Sequence, residues 1–125
     1  MHSRENNRKF KISKEIQRKI ALILQQKIND PRIGISTVSG VDLSSDFSHA
    51  KIFVTFLNKN TKQQIKSGLF ILNKASFFIR KILNKTMRLR IIPKLTFIYD
   101  YSLIKGRNID DLFNNNIVKI SKKSI

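Results

Sequence analysis

The chain has 125 residues, 41% of them hydrophobic, with 25 Lys and Arg against 8 Asp and Glu for a formal net charge of +17. The length suits a single domain with a modest core, and the hydrophobic content excludes global disorder. The absence of cysteine excludes disulfides, thiolate zinc sites and cysteine nucleophiles.

Residues 1–11 are polar and basic, with Arg4, Arg8, Lys9 and Lys11, and read as a flexible arm. Ser13 then offers an N-cap for a helix over 14–29. Ile16, Ile20, Ile23, Leu24 and Ile28 recur at helical spacing as its buried stripe, with Lys14 and Arg18 on the opposite face. Asp30-Pro31 stops it, because the residue before a proline is driven out of the α region. The longest apolar run, Ile20 to Leu24, is too short to span a bilayer, and no signal-peptide pattern is present. A cytoplasmic setting with no membrane partner is expected.

Ile33 to Val41 reads as a first strand, Asp42 to Ser48 as turn chemistry, and Ala50 to Leu57 as a second strand. Ala50, Ile52, Val54 and Phe56 alternate onto one face, so an antiparallel pair is expected. Thr61 and Gln64 form a capping box that opens a helical pattern to about Asn84. Its inner face holds Ile65, Gly68, Leu69, Leu72, Ala75, Ile79, Ile82 and Leu83. After Pro93, Leu95, Phe97 and Tyr99 alternate in a third strand over Lys94 to Tyr99. The polar, Asn-rich residues 106–125 read as a loosely ordered tail behind a domain over 12–105. The result is an α+β domain: a three-stranded sheet with helices on one face, in the element order of a type II KH-like domain.

Between Asp46 and Asp100 no acidic residue occurs, while Lys51, Lys59, Lys62, Lys66, Lys74, Arg80, Lys81, Lys85, Arg88, Arg90 and Lys94 all fall there. Such a field needs an external polyanion, and nucleic acid is the natural one. Arg80, Lys81, Lys85, Arg88 and Arg90 form the densest cluster, suited to phosphate contacts through counterion release. On an unbroken helix Lys66, Phe70, Lys74, Phe77 and Lys81 share the outer face, where lysines seat phosphates and aromatics stack bases. The plainer reading is a bend near residue 75 that turns Phe77 inward, and it is favoured for Phe77.

Other motifs carry less. No two of Gly34, Gly40, Gly68 and Gly106 are three apart, so the G-x-x-G turn of a standard KH domain is missing. Phe53-Val54-Thr55-Phe56 matches only the end of an RRM signature and reads as core of an ordinary strand. His2 and His49 have no acidic partner that suggests a triad or metal site. Asp42 and Asp46 beside serines read as turn chemistry. No catalytic residue, cofactor, metal site or small-molecule substrate is expected.

Three stretches stand in a characteristic order. They are Asp30-Pro31-Arg32; Val41, Ser44, Asp46 and Phe47 followed by Ala50-Lys51-Ile52-Phe53-Val54; and Met87-Arg88-Leu89-Arg90 with Pro93, Leu95, Phe97, Asp100, Ser102 and Gly106. Over about residues 4–112 this set resembles the ribosome-binding factor A family of bacterial small-subunit maturation proteins. The resemblance implies a type II KH-like fold, ordered α-β-β-α(kink)α-β, in which an Ala-x-Gly kink between two helical segments replaces G-x-x-G. It implies a non-enzymatic protein, monomeric away from the ribosome. Such a protein binds the immature 30S subunit and its 16S rRNA, and assists late assembly, 5′-end processing and growth in the cold. The kink falls on Ala75, Ser76 and Phe77, with Phe77 where the family has glycine. Either the kink needs no left-handed residue, or it is softened here. The expected rRNA contacts are Arg80, Lys81, Lys85, Arg88 and Arg90 beside the kink, with Lys74 and Ser76. Lys14, Arg18, Arg4 and Arg8 extend the footprint. A general RNA binder and a structural ribosomal protein are the alternatives.

Overall fold

Three helices and three strands follow one another as α1 (His2–Lys27), β1 (Ser36–Leu43), β2 (His49–Phe56), α2 (Lys62–Lys74), α3 (Ser76–Met87) and β3 (Lys94–Tyr99). This is the order in a computed structural model that describes residues 2–102, and side chains from residue 7 onward. The tail expected over 106–125 lies outside the described residues. β2 is the central strand, antiparallel to β1 and parallel to β3.

The first helix differs from expectation at its start. It begins at His2, so Ser13 lies mid-helix and the expected arm is helical from residue 2. The apolar stripe accounts for the extension as far as residue 12. Ile12 continues the spacing of Ile16 and Ile20 by another turn and packs against the core, and no proline or glycine interrupts the chain before Pro31. At the far end Asp30 organises the reversal. Its carboxylate accepts from the Arg32 backbone N–H at 2.9 Å and from the Arg32 guanidinium at 3.1 and 2.8 Å. The Asp30 carbonyl accepts from the N–H groups of Ile33 and Gly34. Gly34 closes the turn at φ +66, a conformation glycine takes without steric cost. The turn consumes Ile33, so β1 starts three residues later than expected.

β1 also runs two residues further than expected, through Asp42 and Leu43, which pair with Lys51 and Ala50. The reversal is tighter because Asp46 ties it together. Its carboxylate accepts from the Ser44 hydroxyl at 2.8 Å, the Ser48 hydroxyl at 2.7 Å and the Ser48 N–H at 3.1 Å. These bonds hold the Asp46 carboxyl down at about 2. A register shift between Val38 and Gly40 leaves Ser39 as a bulge. Its hydroxyl donates to Asp100 at 2.6 Å.

Alternation along the strands divides the sheet into two faces. Ala50, Ile52, Val54 and Phe56 of β2 and Leu95, Phe97 and Tyr99 of β3 are buried under the helices. Phe53 and Thr55 fall on the other face, so only Val54 and Phe56 of the Phe53–Phe56 stretch are core. Ile16, Ile20, Ile23 and Leu24 of α1, Ile65, Leu72, Ile79 and Leu83 of α2 and α3, and Ile33, Val38 and Leu43 complete the core. The capping box of α2 forms as expected, with Gln64 N–H donating to the Thr61 hydroxyl and Thr61 N–H to the Gln64 side chain.

Candidate nucleic-acid interface

The break between α2 and α3 falls on Ala75, at φ −87 and ψ 0. Its N–H still donates to the Ile71 and Leu72 carbonyls, and its carbonyl accepts from Ile79. The bend therefore sits in the bridge region that any L-residue can adopt. Phe77 lies inside α3 and is not among the residues with positive φ. The kink needs no left-handed residue, and glycine is dispensable at position 77 for that reason.

The bend does not turn Phe77 inward, contrary to expectation. Phe77 is 67% exposed, and Phe70 on α2 is 66% exposed. Ile79 and Leu83 take the inner face of α3 instead, so Phe77 keeps the outer position that helical spacing gives it. Lys74 and Lys81 are exposed beside these rings, and Lys85 is exposed in the last turn of α3. Ser76, the first residue of α3, is half-buried.

Arg88 and Arg90 are presented by the α3–β3 loop. Met87 and Leu89 pack against the core, while Arg88 and Arg90 point to solvent. Arg88 ends α3 in the left-handed conformation, φ 52 and ψ 45. Arg80 holds the other side of the loop. Its Nη2 donates to the Ile92 carbonyl at 2.7 Å, and its Nε lies 3.3 and 3.2 Å from the carbonyls of Ile92 and Pro93. Arg80 is half-buried in this role. It is thus committed within the chain, unlike the exposed cations with which the sequence groups it.

One cleft of about 530 Å³ joins three parts of the chain. Arg8, Lys9 and Ile12 of α1 line it, as do Asp46 and Phe47 of the β1–β2 turn and Leu89, Arg90 and Ile91 of the α3–β3 loop. The fold thereby brings Arg8 and Arg90 together across more than 80 residues of sequence. The Arg8 guanidinium lies 5.6 Å from the centre of the Phe47 ring. Phe47 takes φ 64, so the turn is held in a conformation uncommon for an aromatic residue. Lys14 and Arg18 are exposed on α1 but do not line the cleft. The side chain of Arg4 lies outside the described residues. Lys9 and Phe47 joined no expected site. Lys9 is signalled only by its adjacency to Arg8, whereas Phe47 stands in the characteristic stretch beside Asp46.

Among the described residues the one ion pair is Arg32–Asp30, at 2.8 Å. It holds the Asp30 carboxyl at about 2 through the Arg32 side-chain hydrogen bonds. Among the same residues no group of His, Asp and Glu is placed to hold a metal ion, and no helix is long and apolar enough to cross a membrane. The arrangement suits electrostatic and shape-dependent binding of a polyanion.

The fold defines a KH-like α+β domain, and among the described residues its exposed cations form one ion pair, Arg32–Asp30. The ribosome-binding factor A family model matches residues 8–113, and the chain belongs to that family. The crystal structure of ribosome-binding factor A from Thermus thermophilus is similar, at 26% identity and a TM-score of 0.61, covering 70% of this chain and 90% of that one. A Thermus thermophilus ribosome binding factor A model fitted into a cryo-electron-microscopy map of a 30S complex matches at 26% identity and 0.60, with the same coverage. A solution structure of a candidate ribosome binding factor A from Thermotoga maritima is 31% identical, with a TM-score of 0.57, covering 70% of this chain and 81% of that one.

Proposed function

We propose that this chain binds the free, immature 30S ribosomal subunit, contacts its 16S rRNA and assists late assembly, including maturation of the 16S 5′ end, without catalysing a reaction. The observation that carries this reading is the convergence of Arg8, Lys9 and Arg90 on one cleft, with Arg88 exposed on the same loop. Family membership and the 30S complex of the Thermus relative support the choice of particle.

In this reading Arg8, Lys9, Arg88 and Arg90 hold phosphates, and Lys14, Arg18, Lys74, Lys81 and Lys85 extend the footprint. Arg80 positions the loop that carries Arg88 and Arg90. Phosphate contacts fix position but carry no sequence information, so selectivity comes from the shape of the particle. Binding one rRNA conformation more tightly than its competitors shifts the population toward it, which is all that an assembly factor without chemistry requires.

Sucrose-gradient co-sedimentation at physiological salt tests the reading. The expected result is co-migration with free small subunits and absence from translating ribosomes, with the Arg88→Glu/Arg90→Glu protein retained at the top of the gradient. Migration throughout the translating fractions would indicate a structural ribosomal protein. Migration with bulk RNA would indicate a general RNA binder.

A further inference from the structure

Two large aromatic side chains stand on the outer face of the bent helix pair, Phe70 at 66% and Phe77 at 67% exposure. They contribute little to the core, and they stand seven residues apart, which helical spacing places on one side. Each carries a lysine one turn further on. The Lys74 ammonium lies 5.8 Å from the centre of the Phe70 ring, and the Lys81 ammonium 5.6 Å from the centre of the Phe77 ring. The two pairs lie on opposite sides of the Ala75 bend, one on each helix. Among the described residues neither Lys74 nor Lys81 forms an ion pair with a carboxylate.

We propose that the Phe70–Lys74 and Phe77–Lys81 pairs form a stacking platform for unpaired nucleotides. The proposal rests on the RNA-binding reading above and assigns the outer face of α2 and α3 a preference for single strands. Each pair offers one ring face to a base, while the ammonium over the ring's other face supplies a cation for the adjoining phosphate. An unpaired nucleotide supplies both complements at once. A duplex hides its base faces in the stack and presents phosphates, 2′-hydroxyls and base edges, so it can use the lysines but not the ring faces. A protein surface would need an acidic patch with apolar gaps in register with both pairs.

Helix residues so exposed can be changed without disturbing the core, so the Phe70→Leu/Phe77→Leu protein should keep its melting temperature within about 2 °C. Leucine preserves apolar character and removes only the aromatic plane. The test compares wild type, this variant and Arg88→Glu/Arg90→Glu by fluorescence anisotropy. The probes are a single-stranded RNA of about twelve nucleotides and a duplex of the same length. The leucine variant is expected to bind the single strand about tenfold more weakly or worse, with duplex affinity unchanged. Unchanged single-strand affinity in the leucine variant overturns the platform. If Arg88→Glu/Arg90→Glu alone weakens both probes, the platform fails while the basic cleft stands. If neither variant weakens either probe, the RNA-binding reading itself falls. Loss of co-sedimentation with purified small subunits by a leucine variant that still binds the single strand normally also overturns the proposal, in favour of a ribosomal protein covering this face.

Discussion

Asn73 closes the open edge of β3 with a single side chain. Its amide donates to the Phe97 carbonyl at 3.1 Å, and its carbonyl oxygen accepts from the Phe97 N–H at 2.8 Å. β3 is an edge strand, since the sheet order is β1-β2-β3. An unpaired edge is a template for another chain, and here α2 occupies the place of a fourth strand at one residue. Asn73→Ala removes both bonds and is expected to cost about 1–2 kcal/mol. Asn73→Asp keeps an acceptor for the N–H but turns a carboxylate toward a carbonyl, so it should cost at least as much. Urea denaturation of the three proteins checks this. A loss below about 0.5 kcal/mol in both variants would show that water replaces the side chain without penalty.

Gly68 allows α2 to lie directly on Phe56. A Cβ built there would stand 2.6 Å from Cε2 and 2.7 Å from Cζ of the Phe56 ring. Alanine improves helix propensity by about 1 kcal/mol, yet the contact sets rigid ring atoms against it. Overpacking of this kind costs about 1–3 kcal/mol, so Gly68→Ala should be net destabilising. A double-mutant cycle with Phe56→Leu reads the pair directly. The combined variant should be more stable than the two single losses summed, and strict additivity would mean that α2 simply slides away.

The elements were largely legible because their signals are local. The Thr61/Gln64 box, the stripe from Ile16 to Leu24 and the alternation from Leu95 to Tyr99 each lie within one element and report its period directly. Failures arose where the outcome depends on what lies across the fold. The helix starts before Ser13 because Ile12 finds core to pack on. Sequence places Arg80 with its basic neighbours, but whether an arginine faces solvent or a loop carbonyl depends on where Ile92 and Pro93 return. The Arg8–Arg90 cleft was hidden for the same reason, since no spacing links residues that far apart. A bend turns Phe77 inward only if it rotates the helix face, and this bend leaves Ile79 and Leu83 on the inner side.

Acid should loosen the β1–β2 turn. The Asp46 carboxyl sits at about 2 because Ser48 and Ser44 donate to its ionised form. The unfolded chain binds that proton with a pKa near 3.9. A depressed folded pKa stabilises the native state above the unfolded value, and the contribution is lost as pH falls through the folded value. The window is therefore about pH 4 down to about pH 2. Asp100 shifts in the same direction, held down first by the Ser39 hydroxyl. Melting curves of wild type and Asp46→Asn across this range should converge as pH falls. A constant gap between them at every pH would show that the charge of Asp46 contributes nothing.

Arg80 and Arg88 lie eight residues apart and should respond oppositely to substitution. Arg80 makes its bonds to the loop carbonyls from a half-buried position. Arg80→Met keeps much of the stem but removes those bonds, and an expected loss of about 1–3 kcal/mol follows. Arg88 is exposed at φ 52, where glycine fits without the steric cost that a Cβ carries. Arg88→Gly should leave stability unchanged or raise it by up to about 1 kcal/mol. Its effect should fall on RNA instead. Loss of one phosphate contact lowers the slope of log affinity against log salt by about 0.7–0.9. Thermal melts and salt titrations on the same two variants separate the roles. If Arg88→Gly lowers the melting temperature and leaves the slope alone, Arg88 is a structural cap, and the assignment of this loop to phosphate binding fails.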